Sequence, residues 1–105
     1  MLYSKDKFFG YDLYYSSFDG VEPFHAHVSE KQREKGSAKL WIYEDGYTKI
    51  AHKGAVNDRV ISAVQDWIKI NVDSMKSKWI NTFGNIEYLN NEEKIIAEVE
   101  IKEKN

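Results

Sequence analysis

Hydrophobic periodicity changes once along this chain, near residue 55, and that change narrows the folds open to it. Before it, apolar residues alternate with polar ones, the two-residue period of half-buried strands. After it they recur every three or four residues, the period of an amphipathic helix. Short strands joined by tight turns and followed by helical segments predict an α+β domain. The expected arrangement is an antiparallel meander of three to four strands, one face covered by two C-terminal helices, with a possible extra strand at the C-terminus.

The first strand is expected over 8–16, where Phe9, Tyr11, Leu13 and Tyr15 alternate with Phe8, Gly10, Asp12, Tyr14 and Ser16. Ser17-Phe18-Asp19-Gly20 supplies turn chemistry. A second strand covers 24–29, after Pro23, the only proline, where a missing N–H does least harm. A third covers 38–43, with Ala38, Leu40 and Ile42 on one face and Lys39, Trp41 and Tyr43 on the other. Glu44-Asp45-Gly46 turns the chain into a fourth over 47–52. Beyond Gly54, Asn57 reads as an N-cap for a helix whose stripe is Val60, Ile61, Val64, Trp67, Ile68 and Val72. Asn71-Val72-Asp73-Ser74 reads as a break, with Asp73 capping a second helix in which Met75, Trp79 and Phe83 recur before Gly84 at C′. Trp67, Trp79 and Phe83 are expected in the core. Asn90-Asn91 turns into a last strand, in which Ala97, Val99 and Ile101 alternate with Glu98, Glu100 and Lys102.

A chain of 105 residues is expected to form one domain, 1–105, with its core over 8–84 and a C-terminal extension over 85–105. It should bury roughly 65% of the surface its unfolded form exposes. Three Trp, seven Tyr and five Phe give a core of this size large apolar side chains. Fifteen basic against 17 acidic residues lack the basic excess of a dedicated nucleic-acid binder. The absence of cysteine excludes disulfides, a thiol nucleophile and sulfur-ligated zinc. With no continuous apolar stretch of signal-peptide or membrane-span length, a cytoplasmic protein of bacterial type, away from membranes, is expected.

Two of the three histidines lie in Glu22-Pro23-Phe24-His25-Ala26-His27-Val28. In an extended chain Phe24, Ala26 and Val28 face the core, and His25 and His27 share the opposite face roughly 6.5–7 Å apart. Imidazoles so placed can converge on Zn²⁺, Ni²⁺ or Fe²⁺ at about 2.0–2.1 Å. The metal set expected is His25, His27 and His52, with Glu22 and Glu30 the nearest carboxylates in sequence. A metal-free alternative is acid–base cleavage of RNA by the His pair, with Lys53 and Arg59 holding phosphorane charge. The plainer readings make the histidines hydrogen-bonded residues on the wet side of the sheet, and Lys53 and Arg59 ordinary surface residues. Trp41 and Tyr43 are expected beside the histidines, so His25, His27, Trp41, Tyr43, Lys53 and Arg59 make up the expected ligand or partner face. The charged segment over 30–36 reads as a solvated loop, or else as a phosphate or acidic-partner contact through Lys31, Arg33 and Lys35.

Pro23-Phe24-His25-Ala26-His27-Val28, Ala38-Lys39-Leu40-Trp41, Asn71 and Trp79-Ile80-Asn81-Thr82-Phe83-Gly84 together resemble a family of small bacterial proteins, the domain of unknown function DUF4160. Its pattern runs Pro-Pro-His-x-His-Val, Ala-Lys-Phe-Trp, a helix ending Glu-Asn, and Trp-x-x-x-Phe-Gly, and the resemblance covers roughly residues 9–84. This chain departs from it at Phe24, in place of a second Pro, and at Ile70, in place of Glu. Its charged loop is longer, and it carries an added tail after Gly84. The resemblance implies a compact α+β domain and, from relatives assigned as toxins, the toxin-like half of a toxin–antitoxin pair. The expected function is therefore a small protein-interaction module with an antitoxin-like partner or a second copy of itself. The alternative is a small metal-dependent or His-based hydrolase or ribonuclease using His25 and His27.

Overall fold

Four strands and one helix account for the regular structure of the computed structural model, which describes residues 1–31 and 36–90. Strands β1 (Asp12–Tyr14), β2 (His25–Ser29), β3 (Ala38–Ile42) and β4 (Thr48–His52) lie in sequence order in one sheet. Every neighbouring pair is antiparallel. One turn of 3-10 helix, Asp19–Val21, separates β1 from β2, and helix α1 (Asp58–Phe83) follows β4. The meander expected from the alternating pattern is therefore present with four strands.

β1 is shorter than expected. Phe8 and Tyr11 exchange backbone hydrogen bonds of 2.8 and 3.0 Å across Phe9-Gly10. Both central residues take positive φ, 52° and 86°, as a two-residue hairpin turn of the primed kind requires. Alternation of aromatics through 8–16 therefore spans a hairpin tip as well as a strand. The N-terminal arm of this hairpin places Tyr3 N–H 2.9 Å from the Leu13 carbonyl and buries the Tyr3 ring against Tyr15 and Phe24. The first residues thus belong to the core, which was expected to begin at residue 8.

Leu13, Ala26, Val28, Ala38, Leu40 and Ile42 form the helix-facing side of the sheet and are fully buried. The α1 stripe of Val60, Ile61, Val64, Ile68, Val72, Met75 and Trp79 covers them. Asn57 caps this helix, its side chain accepting the Val60 N–H at 3.1 Å, and Gly84 ends it at φ 83°. The expected break at 71–74 does not occur, and one 26-residue helix replaces two. Ile68, Val72, Met75 and Trp79 continue one stripe through it at helical spacing, no Gly or Pro interrupts 58–83, and Asp73 and Ser74 lie on the exposed side. Asn71 donates to the Trp67 carbonyl at 2.9 Å and stays within the helix. Trp79 is buried, while Trp67 and Phe83 are half-buried against the core.

Past the helix, Glu87 accepts the Phe24 N–H at 2.7 Å, and Ile86 and Tyr88 pack on the core. Part of the expected extension therefore closes the fold. The strand expected over 97–101 lies outside the described residues, as do Arg33 and Lys35. Among the described residues, no helix is long and apolar enough to cross a membrane.

Candidate functional site

Strand alternation at β2 sends Ala26 and Val28 toward α1 and leaves His25 and His27 together on the other face, ring centroids 4.9 Å apart. That face is not wet at this point. The 3-10 turn folds over it, and Trp79, coming from the end of α1, packs on Phe24 and His25 at 5.4 Å each. Trp41, opposite His25 on β3, closes a third side at 5.5 Å. His25 is consequently 0% exposed, against the expectation of a solvated imidazole. His27 stacks on Tyr14 at 5.5 Å and keeps 20% of its side chain exposed.

The residue that organises the pair is Asp19. Its Oδ2 accepts the Ser16 N–H at 2.8 Å and lies 3.1 Å from His27 Nε2 and 3.4 Å from His25 Nε2. Burial alone would raise the carboxyl's pKa, but the His27 imidazole and the Ser16 amide, both hydrogen-bonded to Oδ2, outweigh it and hold Asp19 well below the ordinary carboxylate range. Gly20 lets the turn approach closely enough, since a Cβ there would meet the Phe83 ring at 2.3 Å. Tyr15 ties the same region to the helix, donating to the Lys78 carbonyl at 3.2 Å and sharing a 2.7 Å hydrogen bond with Thr82.

Other expected site residues are dispersed. Trp41 is half-buried beside His25, with Lys39 Nζ 4.2 Å from its ring centroid and ion-paired to Glu22 at 2.6 Å. Glu22 is therefore engaged by Lys39, and Glu30 is exposed. Tyr43 is 2% exposed and not displayed, because β3 ends at Ile42 and Tyr43 enters the turn with Tyr47. His52 sits exposed at the end of β4, two strands from His27, about 9–10 Å across the sheet. It does not join the pair; Asp19 occupies the third place. Lys53 pairs with Asp58 at 2.7 Å, and Arg59 lies over the Phe9 ring at 4.1 Å. Twenty residues of helix, about 30 Å, separate Arg59 from the Trp79 that touches His25. The cations expected for metal-free RNA cleavage are thus not assembled around the histidines.

Residues 10–80, most of the chain, match the model of a family described as domain of unknown function (DUF4160). The chain belongs to this family. No curated protein and no solved structure matches it. The DUF4160 segment contains Asp19, His25, His27, Trp41 and Trp79, so the whole cluster lies within it. Tyr3, whose hydroxyl donates to the His25 carbonyl at 2.9 Å, and Glu87, which pairs with Phe24, lie outside it.

Within the DUF4160 segment, the donor atoms of Asp19, His25 and His27 all lie within 4.8 Å of one another. Asp19 and Gly20 carry no periodic signal, because they sit in a turn where Asp-Gly serves chain reversal as readily as chemistry. Their one visible mark is position: an acidic residue in the turn that leads directly into a His-x-His strand.

Proposed function

We propose that this protein is a small partner-binding module acting in the bacterial cytoplasm, the toxin-like member of a pair. Its contact surface is the turn between β1 and β2. The observation that carries this reading is the exposure of Phe18 (76%) and Val21 (94%) on a turn whose backbone is held from beneath. Single exposed apolar residues are ordinary on protein surfaces. These two differ from the equally exposed Ile70, on the outer face of α1, because they flank Asp19 and Gly20, which anchor the turn to the histidines and to Phe83. An aromatic and an aliphatic side chain displayed on fixed backbone lose little conformational freedom on binding, as interface anchors require.

Strand addition at β4 is the weaker route. β4 is a sheet edge among the described strands, but it bears Lys49 and His52, polar side chains of the kind that discourage pairing. RNA as the partner loses support with the separation of Lys53 and Arg59 from the His pair. The test is coexpression with the product of a neighbouring gene, followed by copurification. A stoichiometric complex is expected, lost in Phe18→Ser/Val21→Ser and retained in Ile70→Ser. An intact complex in the double variant overturns the contact surface. Unimpaired growth of cells expressing the chain alone overturns the toxin-like role.

A further inference from the structure

The inner side of the same turn holds a group that partner binding leaves unexplained. His25 is fully buried, and only one of its ring nitrogens is satisfied. Nδ1 lies 2.8 Å from the Pro23 carbonyl, which can only accept, so Nδ1 carries the proton. In the neutral ring, Nε2 is then a bare lone pair. It has no hydrogen-bond partner among the described residues, and its nearest charged neighbour is Asp19 Oδ2 at 3.4 Å. Two electron-rich atoms therefore face each other in a site walled by Trp41, Trp79 and Tyr14, and a cation between them relieves the conflict.

We infer that Asp19, His25 and His27 bind a divalent transition-metal ion of the Zn²⁺ class through one carboxylate oxygen and the two Nε2 atoms. A proton on His25 Nε2 is the competing cation, but the distance speaks against it. A charge-assisted N–H···O contact closes to about 2.7–2.9 Å, and this one stands at 3.4 Å. The 3.4 Å separation of His25 Nε2 from the shared oxygen suits an ion instead, while His27 Nε2, hydrogen-bonded to that oxygen at 3.1 Å, must release its proton and the three donors, within 4.8 Å of one another, must draw in around the metal. Four-coordinate geometry with bonds of about 2.0–2.1 Å sets donor atoms about 3.3–3.4 Å apart. The Nδ1–H contact to Pro23 is also the outer contact that metal-bound histidines ordinarily make, fixing the tautomer with Nε2 free.

His27 gives the ion its way in, through the exposed fifth of its side chain, and exchanges its Nε2 proton for the metal. Two imidazoles and a carboxylate favour Zn²⁺, Co²⁺, Ni²⁺ or Fe²⁺ over Ca²⁺ and Mg²⁺, which prefer all-oxygen shells. Three protein ligands leave at least one coordination position for water or an incoming donor.

The experiment is calorimetric titration of Zn²⁺ into the chelator-treated full chain, with Co²⁺ followed by visible absorption. One equivalent is expected, with the intense Co²⁺ bands of a four-coordinate site. Asp19→Asn and His27→Ala should each weaken binding by more than the roughly 10–100-fold that follows loss of an outer partner, while His52→Ala binds as the wild type does. ¹⁵N NMR of the His25 ring in the unaltered chain needs no variant. Zn²⁺ should move the Nε2 resonance and leave Nδ1 protonated. Failure of both ions to bind, undiminished binding in folded Asp19→Asn, or a His25 ring doubly protonated in the presence of Zn²⁺ overturns the inference.

Discussion

The two faces of the sheet are built by different rules. Beneath α1, Ala26, Val28, Leu40 and Ile42 meet a helical stripe, and each residue is where its period puts it. On the opposite face at β2, strand alternation positions His25 and His27 and brings Trp41 beside them, but the rest of what encloses them is not periodic. Asp19 arrives from a turn and Trp79 around the end of α1. The first face gains most of its stability from apolar area, with one polar tie from Gln65 of α1 to buried Thr48, and the interchange of similar apolar side chains should be tolerated there. The second depends on a few contacts of fixed geometry, so single atoms matter.

Trp79 belongs to both faces, and its loss should have the largest effect. Trp79→Ala is expected to cost about 3–5 kcal/mol in urea unfolding. A loss no greater than an ordinary surface change would mean that the two faces do not share this anchor. Gly20→Ala separates them more finely. Its methyl group must displace the Phe83 ring or lift the turn, for about 1–3 kcal/mol. The accompanying change should appear in the signals of Asp19 and His27 and leave those of Ala26 and Leu40 in place. Equal disturbance of both sets would show that the two faces respond as one.

The smallest expected effect is one of acidity. Because Asp19 is held below the value near 3.9 that its carboxyl has in the unfolded chain, the unfolded state takes up the proton first. The resulting stabilisation is complete above that value and is lost as pH falls through and below it. Urea midpoints of the metal-free protein should therefore fall more steeply below about pH 4 in the wild type than in Asp19→Asn. Parallel curves would show that the carboxylate contributes nothing specific.

The same contrast explains what the sequence discloses. Period-two alternation located β2, β3 and β4 to within a residue at each end, and Asn57 and Gly84 marked both ends of α1 because capping chemistry is local. Asn71-Val72-Asp73-Ser74 misled because its polar residues are those of a turn. Here they occupy the solvent side of a helix whose buried stripe outweighs their local preference. Phe8 to Gly10 misled for the converse reason, since a hairpin tip preserves alternation while reversing direction. His25 and His27 were legible as a pair but not as a buried one, because burial came from a turn eight residues from His27 and a helix end more than fifty residues from His25. His52, Lys53 and Arg59 shared only chemistry with the site, and residue type carries no distance.

Contact between Gly20 and the Phe83 ring also bears on when the cluster can exist. Tyr15 and Lys78, joined by the same docking, are 63 residues apart in the chain. During synthesis the histidine strand and the Asp19 turn leave the ribosome long before the last turn of the helix does. Until that turn emerges, Gly20 has no ring to rest on and Trp79 cannot close over His25. A chain still being made, or one cut short before Trp79, therefore presents its histidines open to water, and the finished site marks a completed molecule.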